Sequence, residues 1–432
     1  LLIGTSYHEA SGGRPAGYYY LSYRFVPAGG QAGRLAQGNT GVITIPVAPS
    51  GGDPWYTATL TPADDIAALW PDLDYRDFAL YQLTLSAAST GDLVTGHFDY
   101  LRFNRSLGGE VFLEQQAEMM AALAPGYPGV TQQQGLEISW LLPHLNWFGS
   151  NVVMTDYGKT AAKNYAEFLA GKAVPQIHAA GGLVSYNHPF GYLDRPLYPV
   201  QQQNAILATL AAELLPSGST PAVLGCDLLE VGYNARGGVN LGHLLQLWDI
   251  MSRNAVFLTG TGVSDDHHGT NWLGIYNNWI SSAWAASTAQ SDLLAALAAG
   301  RVWCGALSTY RGSLDLLVDG SCPMGSASVS SLTSRQLTAS ATGIPANGSL
   351  QVLQGAVDYA GSAGLTGNSQ VIAAYPAAEL AGGSVALPID TSADSYVRTQ
   401  VLGGSGNVIG LSNPAWLLQH APSGGIPAPR QA

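Results

Sequence analysis

Apolar and polar positions alternate with a period of two from residue 18 to about 105. "GYYYLSYRFVP" sets aromatic against polar positions, and "GVITIPV", "WYTATLT", "FALYQLTLS" and "FDYLRFN" follow, separated by Gly, Pro and Asp turns. Alternation buries one face of each strand. The spacing therefore predicts a small β-sandwich or jelly roll over 18–107.

From 108 the period lengthens. "EVFLEQQAEMMAALA" (110–124) is an amphipathic helix pattern, "GLEISW" a strand, and 156–181 mostly helical. "GLVSYNH", "DLLEVGYN" and "AVFLTGTGVSDD" read as strands, with "QNAILATLAAELL" and "NLGHLLQLWDIMSRN" as helices between them, and "SDLLAALAAG" (291–300) closes the series. Strand–helix alternation predicts an α/β layer or barrel with a parallel sheet over 108–311. Beyond 312 the helical patterns cease. "SLDLLVDG", "RQLTASATG", "SLQVLQGAVDYA", "SVALPID" and "SYVRTQVLG" predict a β-sandwich over 312–420, and "APSGGIPAPRQA" predicts a flexible tail over 421–432. The expected class is multidomain, α/β plus all-β.

Composition narrows the function classes. The 432-residue chain is 47% hydrophobic, enough for a large core, and its 53 Gly and 24 Pro suit turn-rich β domains. Its formal net charge is −12 with Lys only at 159, 163 and 172, which argues against nucleic acid and anionic membranes as partners. No apolar run reaches transmembrane length. Sparse charge with abundant Ser, Thr, Gly and Tyr points to an extracellular or periplasmic protein. Cys226, Cys304 and Cys322 form no CxxC spacing, and a Cys304–Cys322 disulfide and free thiols are both open. The chain begins inside the apolar "LLIGT" without an initiator Met, so residues upstream of Leu1 are expected.

The candidate chemistry gathers where the α/β strands end. "GLEISW" carries Glu137, and the loop after it His144 and Asn146. "GLVSYNHPFG" ends in His188, "DLLEVGYN" carries Glu230 and Asn234, and "GVSDDHHG" supplies Asp265, Asp266, His267 and His268. Each has an ordinary structural use alone: a His-Pro turn, a helix cap, a salt bridge. Together, imidazoles and carboxylates at one edge of a sheet form a mixed N/O donor set suited to Zn, Mn or Fe. His178, on a helix, reads as structural, as do His97, His243 and His420.

Taken in order, "GLEISWLLPHLNWFG", "AAGGLVSYNHPFG", "LLEVGYN" and "GVSDDHHG" resemble the polymerase and histidinol phosphatase (PHP) domain over about 110–305, and its secreted or periplasmic hydrolase branch in particular. "AAGRVWCG" and the C-terminal β region ending in "LSNPAWL" resemble that branch as well. The resemblance implies a distorted seven-stranded barrel holding two or three divalent metal ions. Glu137 would be the bridging carboxylate, His144 and His188 imidazole ligands, and Asp265 and His267 the final ligand pair. Asp266 and His268 would sit beside them in catalytic, substrate-facing positions.

The chain departs from the family at its start. The family's His-x-His pair occurs nowhere in it. In one reading "LLIGTSYHEASGG" (1–17 with its flank) is a degenerate metal loop with His8 as a ligand, Tyr7 stands where Asp is usual, and 18–107 is inserted into the barrel. In the other it is a linker. The expected activity is hydrolysis by a metal-bound hydroxide, of phosphate esters first and, as the resemblance to the narrower branch also implies, of carboxyl or carbamate esters as the alternative, at a site lined by Trp140, Trp147, Tyr186, Phe190, Tyr233 and Trp272, on a small-molecule or glycan substrate. The alternative is a non-catalytic binding or self-assembling surface protein with a relic metal site. In that case Tyr18, Tyr19, Tyr20, Tyr23, Trp55, Tyr56, Trp70 and Tyr75 would make the N-terminal domain a carbohydrate binder. A homo-oligomer or larger assembly is compatible with either.

Overall fold

The computed structural model describes residues 1–10, 13–47, 55–99, 101, 109–157, 160–191, 195–218, 220–265, 278–358, 365–367 and 369–432. The chain divides into two compact units, Leu1–Asn104 and Arg105–Ala432.

Among its described residues the first unit is one sheet with a helix, and no second sheet faces it. Strands β1 (Leu2–His8), β2 (Gly17–Pro27), β3 (Gly33–Gln37), β4 (Thr40–Val47) and β5 (Leu80–Thr84) lie in the order β3-β4-β2-β1-β5. Helix α1 (Pro62–Leu69) packs on it. "PADDIAALW" reads as a turn within a strand series, but it has the marks of a short helix: Pro at its start, Asp64 and Asp65 in the first turn, and Ile66, Leu69 and Trp70 at helical spacing. Those three bury against Tyr19, Leu21, Tyr23 and Ile43. "WYTATLT" forms no strand, and neither do the described residues of "FDYLRFN".

The placement of "LLIGT" corrects the insertion reading. β1 pairs antiparallel with both β2 and β5, so it is an inner strand of the N-terminal sheet and not a strand of the α/β region. A strand with paired edges on both sides has its backbone groups satisfied there.

The second unit carries α2 (Glu110–Leu123) and a five-stranded sheet of β6 (Gly135–Ile138), β7 (Leu145–Phe148), β8 (Leu183–Tyr186) and β9 (Leu228–Gly232), then, beyond the hairpin of β10 (Ala235–Arg236) and β11 (Val239–Asn240), β12 (Thr259–Gly262). Its order is β12-β9-β8-β7-β6. The strand–helix alternation predicts a parallel sheet. β8, β9 and β12 are parallel, joined in turn through α5 (Val200–Leu214) and α6 (Leu241–Arg253), while α3 (Tyr165–Phe168) and α4 (Val174–Ala179) lie between β7 and β8. β7 is antiparallel to its neighbours. The six residues between β6 and β7 are too few for a crossover, and a short connection makes a hairpin. Among the described residues this sheet has five strands and does not close into a barrel.

Among the described residues the C-terminal region has two sheets that share a main core, with a smaller buried cluster around Tyr396 and Trp416. β13 (Trp279–Ala283) and, after α7 (Gln290–Ala298), β14 (Val302–Ala306) lie at one end of the larger sheet. The expected boundary at 312 therefore falls inside a continuous structure. Asn413 joins the regions: its side chain accepts from Gly260 N–H at 2.7 Å and donates to the carbonyls of Gly260 and Val302. The expected flexible tail is also anchored. Arg430 is buried, donates to the Gly325 carbonyl at 2.8 Å and to Thr259 Oγ1, and lies over the Trp416 ring. The three cysteines are free and buried.

Candidate metal centre

Register brings the strand ends together. Ile138 pairs with Leu145 and Leu145 with Tyr186, so the end of β6, the start of β7 and the end of β8 share one edge of the sheet. Because β9 and β12 run parallel to β8, their carboxyl ends share that edge too, where α/β sheets keep their ligands. Glu137 projects from β6, His144 precedes β7 and His188 follows β8. The Asn187 N–H donates to the His144 carbonyl at 3.0 Å and ties the two imidazole loops together.

Glu137, His144 and His188 each offer a donor atom, and these lie within 4.8 Å of one another. His144 Nδ1 is 2.6 Å from Glu137 Oε1 and His188 Nε2 3.8 Å from the same oxygen. The two rings stand edge to face with centroids 4.7 Å apart. The Glu137 carboxyl is held below its ordinary range, His188 being the larger influence and burial opposing it. At 3.8 Å, however, His188 is at ion-pair range, and the hydrogen bond is the one to His144. Burial, and then the neighbouring His188, push His144 down from its ordinary value. That favours the neutral ring, the form that ligates a metal.

Behind the triad stands Glu230, buried on β9. Its Oε2 accepts from the His188 backbone amide and from the Tyr233 hydroxyl, both at 2.5 Å. Burial pushes its carboxyl up to about 7. His188 has φ 26° and Asp265 φ 52°, both in the left-handed region that non-glycine residues rarely occupy.

A cavity of about 450 Å³ opens on this edge, with Glu137, Asn146, Asn187, Glu230, Asp265 and Trp279 in its wall. Trp279 gets there because β13 packs against the end of β12. Gly262 permits the approach: a Cβ there would lie 2.9 Å from the Ile280 carbonyl oxygen of β13 and 2.7 Å from Cys304 Cβ of β14. Ser281 Oγ both donates to the Gly262 carbonyl and accepts from its amide at 3.0 Å.

The residues present suit a metal ion. Two imidazoles and a carboxylate from three segments form a three-ligand set of the kind that leaves a coordination position open. The Nδ1 of His188 and the Oδ1 of Asn187 are buried with no hydrogen-bond partner among the described residues. Buried polar atoms without partners call for a water or an ion.

Of the expected site residues, Glu137, His144 and His188 come together. Asp265 lines the same cavity, and its carboxylate meets the Arg236 guanidinium. Asp266, His267, His268 and Trp272 lie outside the described residues. His8 belongs to the first unit, where it stacks on Phe78 at 5.0 Å and faces Asp77 at 3.7 Å. Trp147 and Tyr186 are core residues and Trp140 packs on Tyr157 and Tyr165; Phe190 lines a neighbouring cavity. Asn187, Arg236, Trp279 and Ser281 were not legible as site residues. Only Asn187, next to His188, had a local signal. No protein-family model matches the chain, and no curated protein matches it in sequence.

Proposed function

We propose that the second unit is a metal-dependent hydrolase centred on Glu137, His144 and His188, with phosphate esters as its substrate class. The observation that carries the reading is the convergence of three donor side chains from three segments, one of which, Glu137, lines a cavity large enough for a small substrate. A bound Zn, Mn or Fe ion would supply a Lewis acid and an acidified water at neutral pH. The chain's own residues do the rest. Glu230 and Tyr233 fix the His188 peptide, Asn146 and Asn187 offer amide groups to a bound oxygen, and Trp279 walls the site against bulk water. The ordered motif resemblance supports phosphate esters, and a second or third ion, held with Asp265 and His267, belongs to the same proposal. So does location outside the cytoplasm.

A second reading has its own support. The chain lacks a His-x-His pair, and β1, with His8, belongs to the N-terminal sheet. That leaves fewer ligands and favours a binding or self-assembling protein with a residual metal site.

Elemental analysis after expression with Zn, Mn or Fe, together with hydrolysis of p-nitrophenyl phosphate, bis-p-nitrophenyl phosphate and p-nitrophenyl acetate, separates these outcomes. Bound metal with phosphoesterase activity that His188→Ala abolishes is the expected result. Metal without hydrolysis selects the second reading. Less than about 0.2 metal per chain after supplementation overturns the metal centre, since ligands already deprotonated at pH 7 should hold an ion.

A further inference from the structure

The N-terminal unit has a cavity of its own, about 520 Å³, within the range of about 300–1,000 Å³ usual for small-molecule sites. It arises from a mismatch of lengths. α1 has eight residues, about 12 Å of helix. β4 has eight and β2 eleven, roughly 26–36 Å of strand. The carboxyl end of α1 rests on Gly41, where a Cβ would lie 2.3 Å from Leu69 Cδ1. Its amino end stands over Tyr23, whose hydroxyl donates to Asp65 at 2.7 Å. Tyr23 pairs with Ile43, and Phe25 with Ile45 forms the next pair on that face. There Phe25 is 41% exposed.

The cavity occupies this corner. Ile43, Ile45 and Pro46 give it an apolar wall, and Arg34, Thr61 and Asp64 a polar one. Arg34 Nε donates to the buried Asp65 carboxylate at 2.6 Å, which orients the guanidinium while half of the side chain stays exposed. Asp64 is exposed in the same helical turn. A donor fork and an acceptor carboxylate thus border one apolar surface. The exposed Tyr56 ring extends that surface, 6.5 Å from Phe25.

We propose that this cavity binds a neutral sugar unit of a polysaccharide. A pyranose ring has an apolar C–H face and a rim of hydroxyls that each donate and accept. Neighbouring hydroxyls match a guanidinium beside a carboxylate, and the C–H face matches the surface of Ile45, Phe25 and Tyr56. The ionised side chains of the cavity, Arg34, Asp64 and Asp65, sum to one negative charge in a chain of net charge −12, which disfavours an acidic sugar. A wholly apolar ligand would strip Arg34, Thr61 and Asp64 of water and leave them unpaired. The site is independent of the metal centre.

Affinity gel electrophoresis of the full chain in gels holding hydroxyethylcellulose, xylan, galactomannan or polygalacturonate tests this. At least one neutral polymer should retard the wild type. Asp64→Asn and Tyr56→Ala, at exposed positions that leave the Arg34–Asp65 pair in place, should each weaken retardation roughly tenfold without changing metal content. Arg34→Ala should abolish it but also unpairs a buried carboxylate, so the two exposed variants decide. Three results overturn the proposal: no retardation by any of the three neutral polymers, retardation by polygalacturonate alone, or retardation that Asp64→Asn and Tyr56→Ala both leave unchanged.

Discussion

The backbone amide of His188 donates to the buried carboxylate of Glu230 at 2.5 Å, and this contact holds the histidine in its left-handed conformation at φ 26°. Glu230 therefore acts on the metal centre through the peptide of a ligand. Losing a group that orients a ligand typically costs 10–100-fold in metal affinity. Glu230→Ala should weaken metal binding by about that factor, while Glu230→Gln, which keeps an acceptor oxygen, should stay close to wild type. Competitive metal titration measures both. Equal affinities for wild type and Glu230→Ala would show that the contact does not position His188.

His8 and the triad separate in the same assay. Glu137→Gln and His144→Ala should each lower the metal content of the purified protein, and His8→Ala should leave it unchanged. His8 is held by its own sheet, between Phe78 and Asp77. Loss of metal in His8→Ala would restore the reading in which "LLIGTSYHEA" is a metal loop.

His178 makes stability depend on pH. Its Nε2 lies 2.9 Å from Asp227 Oδ2, which also accepts from Val184 N–H. The hydrogen bond to Asp227 raises the histidine above its ordinary value, burial opposing. A folded-state pKa above the unfolded one gives stability that is complete below the unfolded value, about 6.5, and is lost as pH rises through the folded value. The partly exposed pair is screened, so the effect is modest. The melting temperature of His178→Gln should fall below wild type at pH 5.5, and the gap should narrow by pH 9. An equal gap at both pH values would contradict this account.

Asp249 on α6 and Arg398 in the strand 395–402 of the larger sheet form a buried two-pronged pair at 2.9 and 3.0 Å. Removing one partner strands a charge and costs about 3–5 kcal/mol, whereas replacing both with apolar side chains costs much less. Denaturant unfolding should show Arg398→Leu strongly destabilised and the double variant Asp249→Leu, Arg398→Leu partly recovered. A double variant as unstable as the sum of the single ones would exclude this coupling.

Arg430 predicts that the last residues contribute to stability. Arg430→Ala leaves the Gly325 carbonyl and the Thr259 hydroxyl without a charged donor and should cost about 2–3 kcal/mol. Unfolding curves that superimpose on wild type would show that the contact adds nothing.

Local period decided much of this protein before any contact formed. The helices at 110–123, 200–214 and 241–253, the strands around Glu137, His188, Glu230 and Gly262, and the β character of the C-terminal third follow from which neighbouring side chains share a face. Parallel βαβ order also put His188 and Glu230 at one edge of a sheet, because each crossover returns the next strand in the same direction. Period does not name a strand's partner. "LLIGT" suits either unit equally well, and only pairing with β2 and β5 assigned it and His8 to the first. The short β6–β7 connection turned β7 round and so placed His144 beside Glu137. Trp279 and Ser281 entered the cavity wall because β13 packs against β12 at Gly262, and Arg430 was buried by residues more than a hundred positions away. Such contacts depend on the packing of whole layers, where the free energy lies in surfaces that meet only after the chain has folded back on itself.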